Sequence, residues 1–157
     1  MSATTLDELR ASIRAKYKPD FEFTTVAEVP FTRLAKPLAE ARVALISTAG
    51  LHFDDQPPFD RDTPAGDCSF RRIRAEDELS RLKVWWDGER QQAANQDLNA
   101  AFPLALLREC GIGSVAATHY SFSGAIPDPR PLLDSTAPKV AAELRADAVD
   151  AVLIAPS

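Results

Sequence analysis

Apolar residues in this chain fall into short continuous runs, and amphipathic segments separate those runs. Residues 43–46 and 152–154 are unbroken apolar stretches, which is the pattern of strands covered on both faces. Residues 114–120 predict a further strand between them. The last run is closed by Pro156, and ligands of open α/β sheets collect beyond the carboxyl ends of such strands. We therefore expect the chain to stop directly before an active site.

Two segments between these strands have the spacing of helices. Pro103 opens a predicted helix that runs to Cys110 and stops at Gly111. A second helix is predicted over 131–146, with these apolar residues on one face: Leu133, Val140, Ala141 and Leu144. Strand, helix and strand in this order predict a βαβ unit with a right-handed crossover. The fold class is therefore α/β, a single domain with a mostly parallel sheet flanked by helices.

The amino-terminal part differs from the rest. Thr5 and Glu8 form a capping-box pattern, and the apolar spacing that follows predicts a helix over 6–17. Residues 18–41 carry three prolines and no regular period, so we expect an extended arm. We divide the chain into a helix and arm over 1–34 and an α/β domain over 35–157, the latter truncated at its carboxyl end.

The segment between the first two strands is the least regular. Residues 51–70 contain three prolines and clustered aspartates, and loops of this length are functional or disordered. The letters RLKVWW predict a short strand over 81–86, and residues 91–102 are partly helical in our interpretation. The tryptophans of that strand are more often core or interface residues than a ligand shelf.

Composition narrows the function classes. A net charge of −5 and a pI near 5.0 argue against nucleic acid as the main partner. No apolar run is long enough for a bilayer, and the polar start of the chain predicts no export, so we expect a cytoplasmic protein that does not engage membranes. Cys68 and Cys110 form no metal-ligand pair, and the chain's spacing of histidines predicts no metal site.

The two histidines are candidate binding groups because both follow predicted strands. His52 comes after the first strand, and His119 lies near the carboxyl end of the second. A histidine there can act as acid, base or hydrogen-bond donor to a substrate. A core histidine bonded to backbone is the alternative for His119. Their shared position after strands favours one common site.

Other polar candidates stand beside simpler alternatives. In GDCSFR, Asp67 and Ser69 offer polar contacts and Arg71 offers a fork for the carboxylate of a small amino or imino acid. Asp97 and Asn99 could equally cap the helix at 103. The letters GIGSVA match a dinucleotide-binding turn, but a helix precedes them and a strand follows, which is the reverse of that motif.

Five segments in the same order resemble one family. They are PLAEARVALISTAGLHFDDQPPFD, GDCSFRRI, DLNAAFPLALLRE, IGSVAATHYSFSGAIPD and APKVAAELRADAVDAVLIAP. Together they resemble the selenoprotein B group of the glycine/sarcosine/betaine/D-proline reductases, nearest the selenocysteine-bearing subunits of the D-proline type. The residues that match the family motifs are Gly66, Asp67, Ser69, Phe70, Arg71, Asp97, Asn99, Phe102, Pro103, His119, Phe122, Gly124 and Asp128. One departure is KVWWD, where relatives commonly carry a histidine.

The resemblance implies an oxidoreductase that reduces a small amino or imino acid with a dithiol as electron donor. A selenocysteine or cysteine directly after the last strand would be the nucleophile, and a pyruvoyl group on a partner subunit would hold the amine. That nucleophile would follow Ser157, so we expect no catalytic residue in this chain and no turnover. Neither Cys68 nor Cys110 takes its place. A selenocysteine codon taken as a stop and a true end at this position both remain open.

The substrate-binding candidates are therefore His52, Asp67, Ser69, Arg71, Asp97, Asn99, His119 and Asp128. The alternative function is a non-catalytic module on the same scaffold that binds a small molecule or another protein. In either case we expect a homo-oligomer, because the absence of a helix after Ser157 would expose apolar surface on the sheet and invite self-association.

Overall fold

A computed structural model of the chain describes residues 5–23, 31–85, 89–124 and 126–156. By its internal contacts the chain divides into two compact units, Met1–Arg33 and Leu34–Ser157. The first contains helix α1, Leu6–Lys16, which is capped by Thr5. The Thr5 hydroxyl accepts from the Glu8 amide at 3.2 Å, and the Glu8 carboxylate accepts from the Thr5 amide at 2.7 Å. The predicted capping box and helix are confirmed.

The second unit is built on one sheet. Its strands are β1 (Arg42–Ser47), β2 (Phe70–Arg74), β3 (Ser114–Val115), β4 (Thr118–Phe122) and β5 (Ala151–Ala155). Strand β1 is central: β5 runs parallel to it along one side, and β3 followed by β4 runs parallel to it along the other. Strand β2 pairs with β4 in the antiparallel sense. The predicted α/β class with a mostly parallel sheet is confirmed.

Strand β2 is a correction to the sequence interpretation, which ended an irregular loop at Phe70 and predicted no strand over 71–74. All five of its residues are apolar or basic, in the order Phe-Arg-Arg-Ile-Arg, and the charges hide the alternation. Ile73 and Arg71 are the buried positions, whereas Arg72 and Arg74 are exposed. The strand predicted over 81–86 is wrong for the described residues 81–85, which contribute one isolated bridge, between Lys83 and His52.

The strand predicted over 114–120 is interrupted at its middle. Residues 116 and 117 separate β3 from β4, so the ladder to β1 is broken there. This break leaves the Leu45 amide of β1 without a backbone acceptor on β4, and a side chain fills that role, as described below.

The helices of this unit are α2 (Glu89–Gln96), α3 (Leu104–Glu109) and α4 (Ala137–Ala146), the last preceded by a π-helical segment over Leu132–Thr136. Gly111 has a φ of +67°, which suits its predicted position after α3. Val140 of α4 is buried against Tyr120 and Phe122 as the spacing predicted. Leu133 is 63% exposed, so its predicted place on the buried face is wrong.

Two hydrophobic clusters cover the two faces of the sheet. One joins β1 to the turns before α3 and includes Leu45, Phe102 and Leu104. The other joins β4 to α4. The Arg72 guanidinium forks onto the Glu143 carboxylate, which also accepts from the Tyr120 hydroxyl at 3.0 Å, so α4 is tied to β2 and β4. Burial of its hydroxyl, followed by Glu143, raises the pKa of Tyr120 to about 12.

Strand β5 forms over the predicted residues, but it is not buried. Val152, Leu153 and Ile154 are 40, 43 and 60% exposed. The apolar run therefore predicted the strand correctly and its burial wrongly. No helix within the described residues has the length and apolar character needed to cross a bilayer.

Candidate functional site

The loops at one edge of the sheet carry most of the candidate side chains. We call it the carboxyl edge, because β1, β4 and β5 end there at Ser47, Phe122 and Ala155. The Thr48 amide donates to the Ala155 carbonyl at 3.2 Å, and the Gly50 amide donates to the Phe122 carbonyl at 2.8 Å. The turn after β1 is therefore bonded to the ends of both neighbouring strands.

Antiparallel pairing brings the GDCSFR segment to the same edge. Phe70, the first residue of β2, pairs with Phe122, the last residue of β4, so the residues that precede Phe70 lie at the carboxyl edge. The segment after β4 meets them there, since the Asp128 amide donates to the Ala65 carbonyl at 3.1 Å. Periodicity could not show this, because it depends on the direction in which β2 runs.

Asp67, Ser69 and Arg71 form a hydrogen-bonded chain. The Asp67 carboxylate accepts from the Asp60 amide at 2.8 Å, from the Ser69 amide at 2.7 Å and from the Ser69 hydroxyl. The Ser69 hydroxyl accepts from the Arg71 guanidinium at 2.8 Å. Partial burial raises the pKa of Asp67, but these hydrogen bonds and the Arg71 charge outweigh it, so the pKa lies below its ordinary value.

Arg71 braces the loop over 57–59. Its guanidinium donates to the carbonyls of Pro57 at 2.6 Å, Pro58 at 3.0 Å and Phe70 at 3.1 Å, and it lies 4.2 Å from the centre of the Phe59 ring. A guanidinium has five N–H donors, and this side chain directs most of them to the protein. Arg71 therefore shapes the carboxyl edge, and its predicted contact with a substrate carboxylate stays a prediction.

Asp97 and Asn99 do not cap the helix at 103, which was the simpler alternative from the sequence: α3 follows Pro103 without a side-chain cap. The Asp97 carboxylate accepts from the Asn99 amide and from its side-chain nitrogen, both at 2.9 Å, and it caps a short 3-10 turn over Leu98–Ala100. The Ser47 hydroxyl donates to the Ala101 carbonyl at 2.7 Å and ties that turn to the end of β1.

His119 is a core histidine bonded to backbone. Its side chain is fully buried, and its Nδ1 accepts from the Leu45 amide at 3.0 Å across the break between β3 and β4. The proton of the neutral ring is therefore on Nε2, which has no hydrogen-bond partner among the described residues and lies edge-on to Phe102. Burial and the charge of Arg108 lower the pKa of His119 to about 4.

His52 has different surroundings from His119. Its Nδ1 lies 3.2 Å from the Gly50 carbonyl, which can only accept, so Nδ1 carries the proton and Nε2 is the acceptor of the neutral ring. The ring packs edge-on against Phe59. The two histidines thus contact different aromatic residues, and the structure does not bring them into a common cluster.

Asp128 is engaged with its neighbour Arg130. The guanidinium donates to both carboxylate oxygens, at 2.8 and 2.6 Å, and these bonds lower the pKa of Asp128 to about 2. The Asp128 carbonyl accepts from the Cys68 thiol, with sulfur and oxygen 3.7 Å apart. Cys68 therefore lies half-buried at the carboxyl edge, whereas Cys110 is exposed before β3, at the opposite end of the parallel strands.

Among the cavities that the described residues of this unit line, three are considered as ligand sites. The first, about 640 Å³, follows the outer side of β2 and mixes four arginines with the carboxyl groups of Asp55, Asp77 and Glu78. The second, about 410 Å³, lies beside His52 and includes three residues that the sequence did not single out as ligand contacts: Phe59, Arg61 and Lys83. The third, about 300 Å³, is lined almost wholly by apolar side chains between α4, β1 and β5.

The residues missed by sequence reasoning gave only weak signals. Lys83 is set opposite His52 by the isolated bridge, and Trp85 follows two residues later on the same side of that extended segment. Phe59 and Arg61 sit in a loop without period. Only the folded path of residues 51–69 places them beside a histidine.

Comparison with curated proteins adds the family context. Over 128 residues the chain is 31% identical to the D-proline reductase subunit gamma of Acetoanaerobium sticklandii, a match that covers 79% of the chain and 52% of the relative. The chain is similar to a reductase subunit. It spans about half the length of this curated relative. No family model and no solved structure matches the chain. The similarity supports the resemblance to the amino-acid reductases that the sequence motifs indicated.

Proposed function

We propose that this chain is a subunit of a selenocysteine- or cysteine-dependent reductase of the selenoprotein B type. Its substrate class is a small amino or imino acid, of the D-proline or glycine/betaine type, and a dithiol supplies the electrons. The observation that carries the proposal is the 31% identity to a D-proline reductase subunit. The gathering of GDCSFR, the turn after β1 and the segment after β4 at one carboxyl edge supports it, because ligands of α/β sheets bind at such an edge.

The polypeptide of 157 residues should have no reductase turnover on its own. Cys110 precedes β3, at the end of the parallel strands opposite the carboxyl edge, and the Cys68 thiol donates to the Asp128 carbonyl. Neither thiol therefore supplies the nucleophile. When bound, the pyruvoyl group of a partner subunit would supply the carbonyl chemistry for the substrate amine.

The partners we propose are that pyruvoyl-containing subunit and a second copy of this chain. Strand β5 supports the second copy, since it exposes an uncharged apolar run at an edge of the sheet. Antiparallel pairing of two β5 strands about a two-fold axis would place identical apolar residues opposite one another.

Reconstitution tests the proposal. The purified chain is mixed with a pyruvoyl-containing reductase subunit, D-proline and dithiothreitol, and the ring-opened amino acid is measured by mass spectrometry. The matched control replaces the chain with the complete gamma subunit of A. sticklandii. We expect a complex of the chain with the pyruvoyl subunit on gel filtration, and product in the control mixture alone.

Two results would change this view. Product formed with the chain itself would overturn the inactivity. Binding of a small amino acid without any complex with the pyruvoyl subunit would favour the alternative, a non-catalytic binding module on the same scaffold.

A further inference from the structure

We propose that β5 pairs with the β5 strand of a second copy in one antiparallel register, with the two-fold axis at Leu153, and that the second copy thereby supplies a residue to the apolar cavity beside α4. The inference rests on the self-association put forward under the proposed function, and it adds the register and the shared cavity. It depends on no substrate and no cofactor.

The hydrogen bonds between β1 and β5 fix which main-chain groups of β5 point away from the sheet. The Thr48 amide donates to the Ala155 carbonyl at 3.2 Å, so Ala155 turns its main-chain groups toward β1. These groups alternate in direction along a strand, so Leu153 also faces β1, whereas Val152 and Ile154 face outward. Among the described strands β5 pairs with β1 alone. Its outward N–H and C=O groups can therefore bond to a further strand.

The sequence of β5 suits pairing with itself. It reads Ala-Val-Leu-Ile-Ala, so its residue types are mirrored about the central leucine. An antiparallel pair centred on Leu153 sets leucine opposite leucine, alanine opposite alanine and valine opposite isoleucine. A two-fold interface must be complementary to itself, and this strand meets that requirement without a charged residue. Pairing with an unrelated strand would not require such a mirrored sequence, so the sequence favours a second copy.

The residues that flank the strand exclude the neighbouring registers. In an antiparallel pair, residues that face outward must meet residues that face outward, so the nearest alternative axes lie at Val152 and Ile154. An axis at Val152 sets Asp150 opposite Ile154, but the Asp150 amide already donates to β1 at 2.9 Å. An axis at Ile154 sets Pro156 opposite Val152, and proline has no N–H to donate. The central axis gives every outward group of the strand a partner.

The ends of the strand do not oppose this pairing. The central axis sets Asp150 of each copy opposite Pro156 of the other. The Asp150 carboxylate accepts from the Arg42 amide at 2.8 Å and lies 2.9 Å from the Lys36 ammonium. Its charge is therefore compensated within its own copy, and the pairing brings no uncompensated charge into the contact.

The pairing also adds to the apolar cavity of about 300 Å³ beside α4. Ile154 lines this cavity and is 60% exposed, so the cavity is open on the side of β5. Opposed residues project from the same face of a sheet, so Val152 of the second copy lies beside Ile154 on the face that α4 covers. Helix α4 contributes Val140 and Leu144 to the lining. Each cavity of the pair thus gains an apolar residue from the other copy.

Cysteine crosslinking tests the register in a background of Cys68→Ser and Cys110→Ser, which removes the native thiols. Leu153→Cys should form a disulfide-linked dimer under mild oxidation, because the two Cα atoms at the axis lie about 4.5 Å apart. Val152→Cys or Ile154→Cys alone should crosslink at least about tenfold less, since identical residues are then diagonal and about 7 to 8 Å apart. An equal mixture of those two variants should crosslink one to the other.

A proline substitution tests the main-chain bonds separately. Ile154→Pro removes an outward N–H and no bond to β1, so we expect the fold to be kept and the dissociation constant of the dimer to rise by about tenfold or more. Ile154→Val keeps the N–H and is the matched control, with an expected change of less than about fivefold. Sedimentation equilibrium measures the constant, and thermal unfolding shows that each variant is folded.

Three results would overturn the inference. Crosslinking of Val152→Cys or Ile154→Cys alone that equals that of Leu153→Cys rejects the register and keeps the second copy. An unchanged dissociation constant in folded Ile154→Pro rejects strand pairing. A wild-type chain that stays monomeric at high concentration rejects the second copy as well.

Gel filtration with the pyruvoyl subunit separates these failures from that of the proposed function. A complex with that subunit in the absence of a crosslinked dimer rejects the β5 pairing alone. A crosslinked dimer that forms no complex with the pyruvoyl subunit rejects the reductase role alone.

Discussion

The two outer strands of the sheet, β2 and β5, differ in how their outward sides are covered. At the β2 edge, side chains cover the outward backbone groups: the Gln56 amide donates to the Arg72 carbonyl at 2.8 Å, and the Asp77 carboxylate accepts from the Arg74 amide at 2.7 Å. Arginines also project from this strand into solvent. Charges and capped backbone are the devices that stop strand addition.

The β5 edge has none of these charges. Its five residues are uncharged, three of them are apolar and exposed by 40 to 60%, and β1 is its partner among the described strands. A strand parallel to its neighbour is normally covered on both faces. The difference indicates that the sheet is closed at β2 and is suited to further contacts at β5.

The largest expected effect is a loss of stability when the hydrogen bonds of Arg71 in β2 are removed. Arg71→Ala removes the donor of the carbonyls of Pro57, Pro58 and Phe70 and the cation against Phe59. Because the site is buried, we expect a loss of about 3 to 4 kcal/mol in the free energy of unfolding, measured by urea denaturation.

Arg74→Ala is the control on the same strand. Its side chain is exposed, and its contact with Glu76 is 3.9 Å long, so the loss should stay within about 0.5 kcal/mol. Equal losses for the two variants would show that Arg71 has no bracing role and that the β2 edge is not specially supported.

The same contrast explains what the sequence could predict. The apolar runs at 43–46 and 152–154 predicted β1 and β5, and Gly111 predicted the end of α3, because these elements depend on local spacing. Burial of β5 was predicted wrongly, since an apolar run indicates that a strand is stabilised by burial and does not show that another element packs on it. Strand β2 was missed because three of its five residues are arginines, which hide the alternation of a strand. The buried arginine, Arg71, can face inward because its guanidinium donates to carbonyls of the loop over 57–59.

The candidate site was predictable only in part. GDCSFR and His52 were predicted as candidates from the sequence, and the fold places both at the carboxyl ends of the strands. The place of His119 in the core depends on the break between β3 and β4, which creates an amide that needs an acceptor. Arg61 and Phe59 depend on the path of a loop, which no period in the sequence encodes.

The second prediction concerns the junction between the two halves of the sheet. His119 joins β4, the neighbour of β2, to β1, the neighbour of β5, through the Leu45 amide. Protonation would place hydrogen on Nδ1 and destroy this acceptor. The pKa is about 4 in the folded chain against an ordinary value of 6.5, so the unfolded chain binds more protons between these values.

Stability should therefore be complete above about pH 6.5 and fall as the pH drops toward 4, by about 3 kcal/mol from this group. Urea denaturation at a series of pH values measures it. His119→Gln keeps an acceptor for Leu45 and does not titrate, so its curve should be flatter by that amount. If the free energy of unfolding falls with pH at the same slope in the wild type and in His119→Gln, the loss of stability in acid comes from carboxylates and not from His119.

The smallest expected effect tests the β5 edge itself. Ile154→Lys places a charge on an exposed apolar strand residue, and we expect the dissociation constant of the homo-oligomer to rise about tenfold or more, because a charge is costly within an apolar contact. Sedimentation equilibrium measures the change. Leu133→Lys introduces the same charge at a residue of matching exposure outside the sheet and should leave the constant within about twofold.

The outcome decides what the exposed strand means. A selective effect of Ile154→Lys would assign self-association to β5 and complete the contrast with β2, whose arginines and side-chain caps oppose such contacts. A wild-type chain that stays monomeric at high concentration would remove the second copy as a partner. The apolar edge would then have to be accounted for by a contact with a different polypeptide, and the same lysine variant would reveal it as weaker binding to the pyruvoyl subunit on gel filtration.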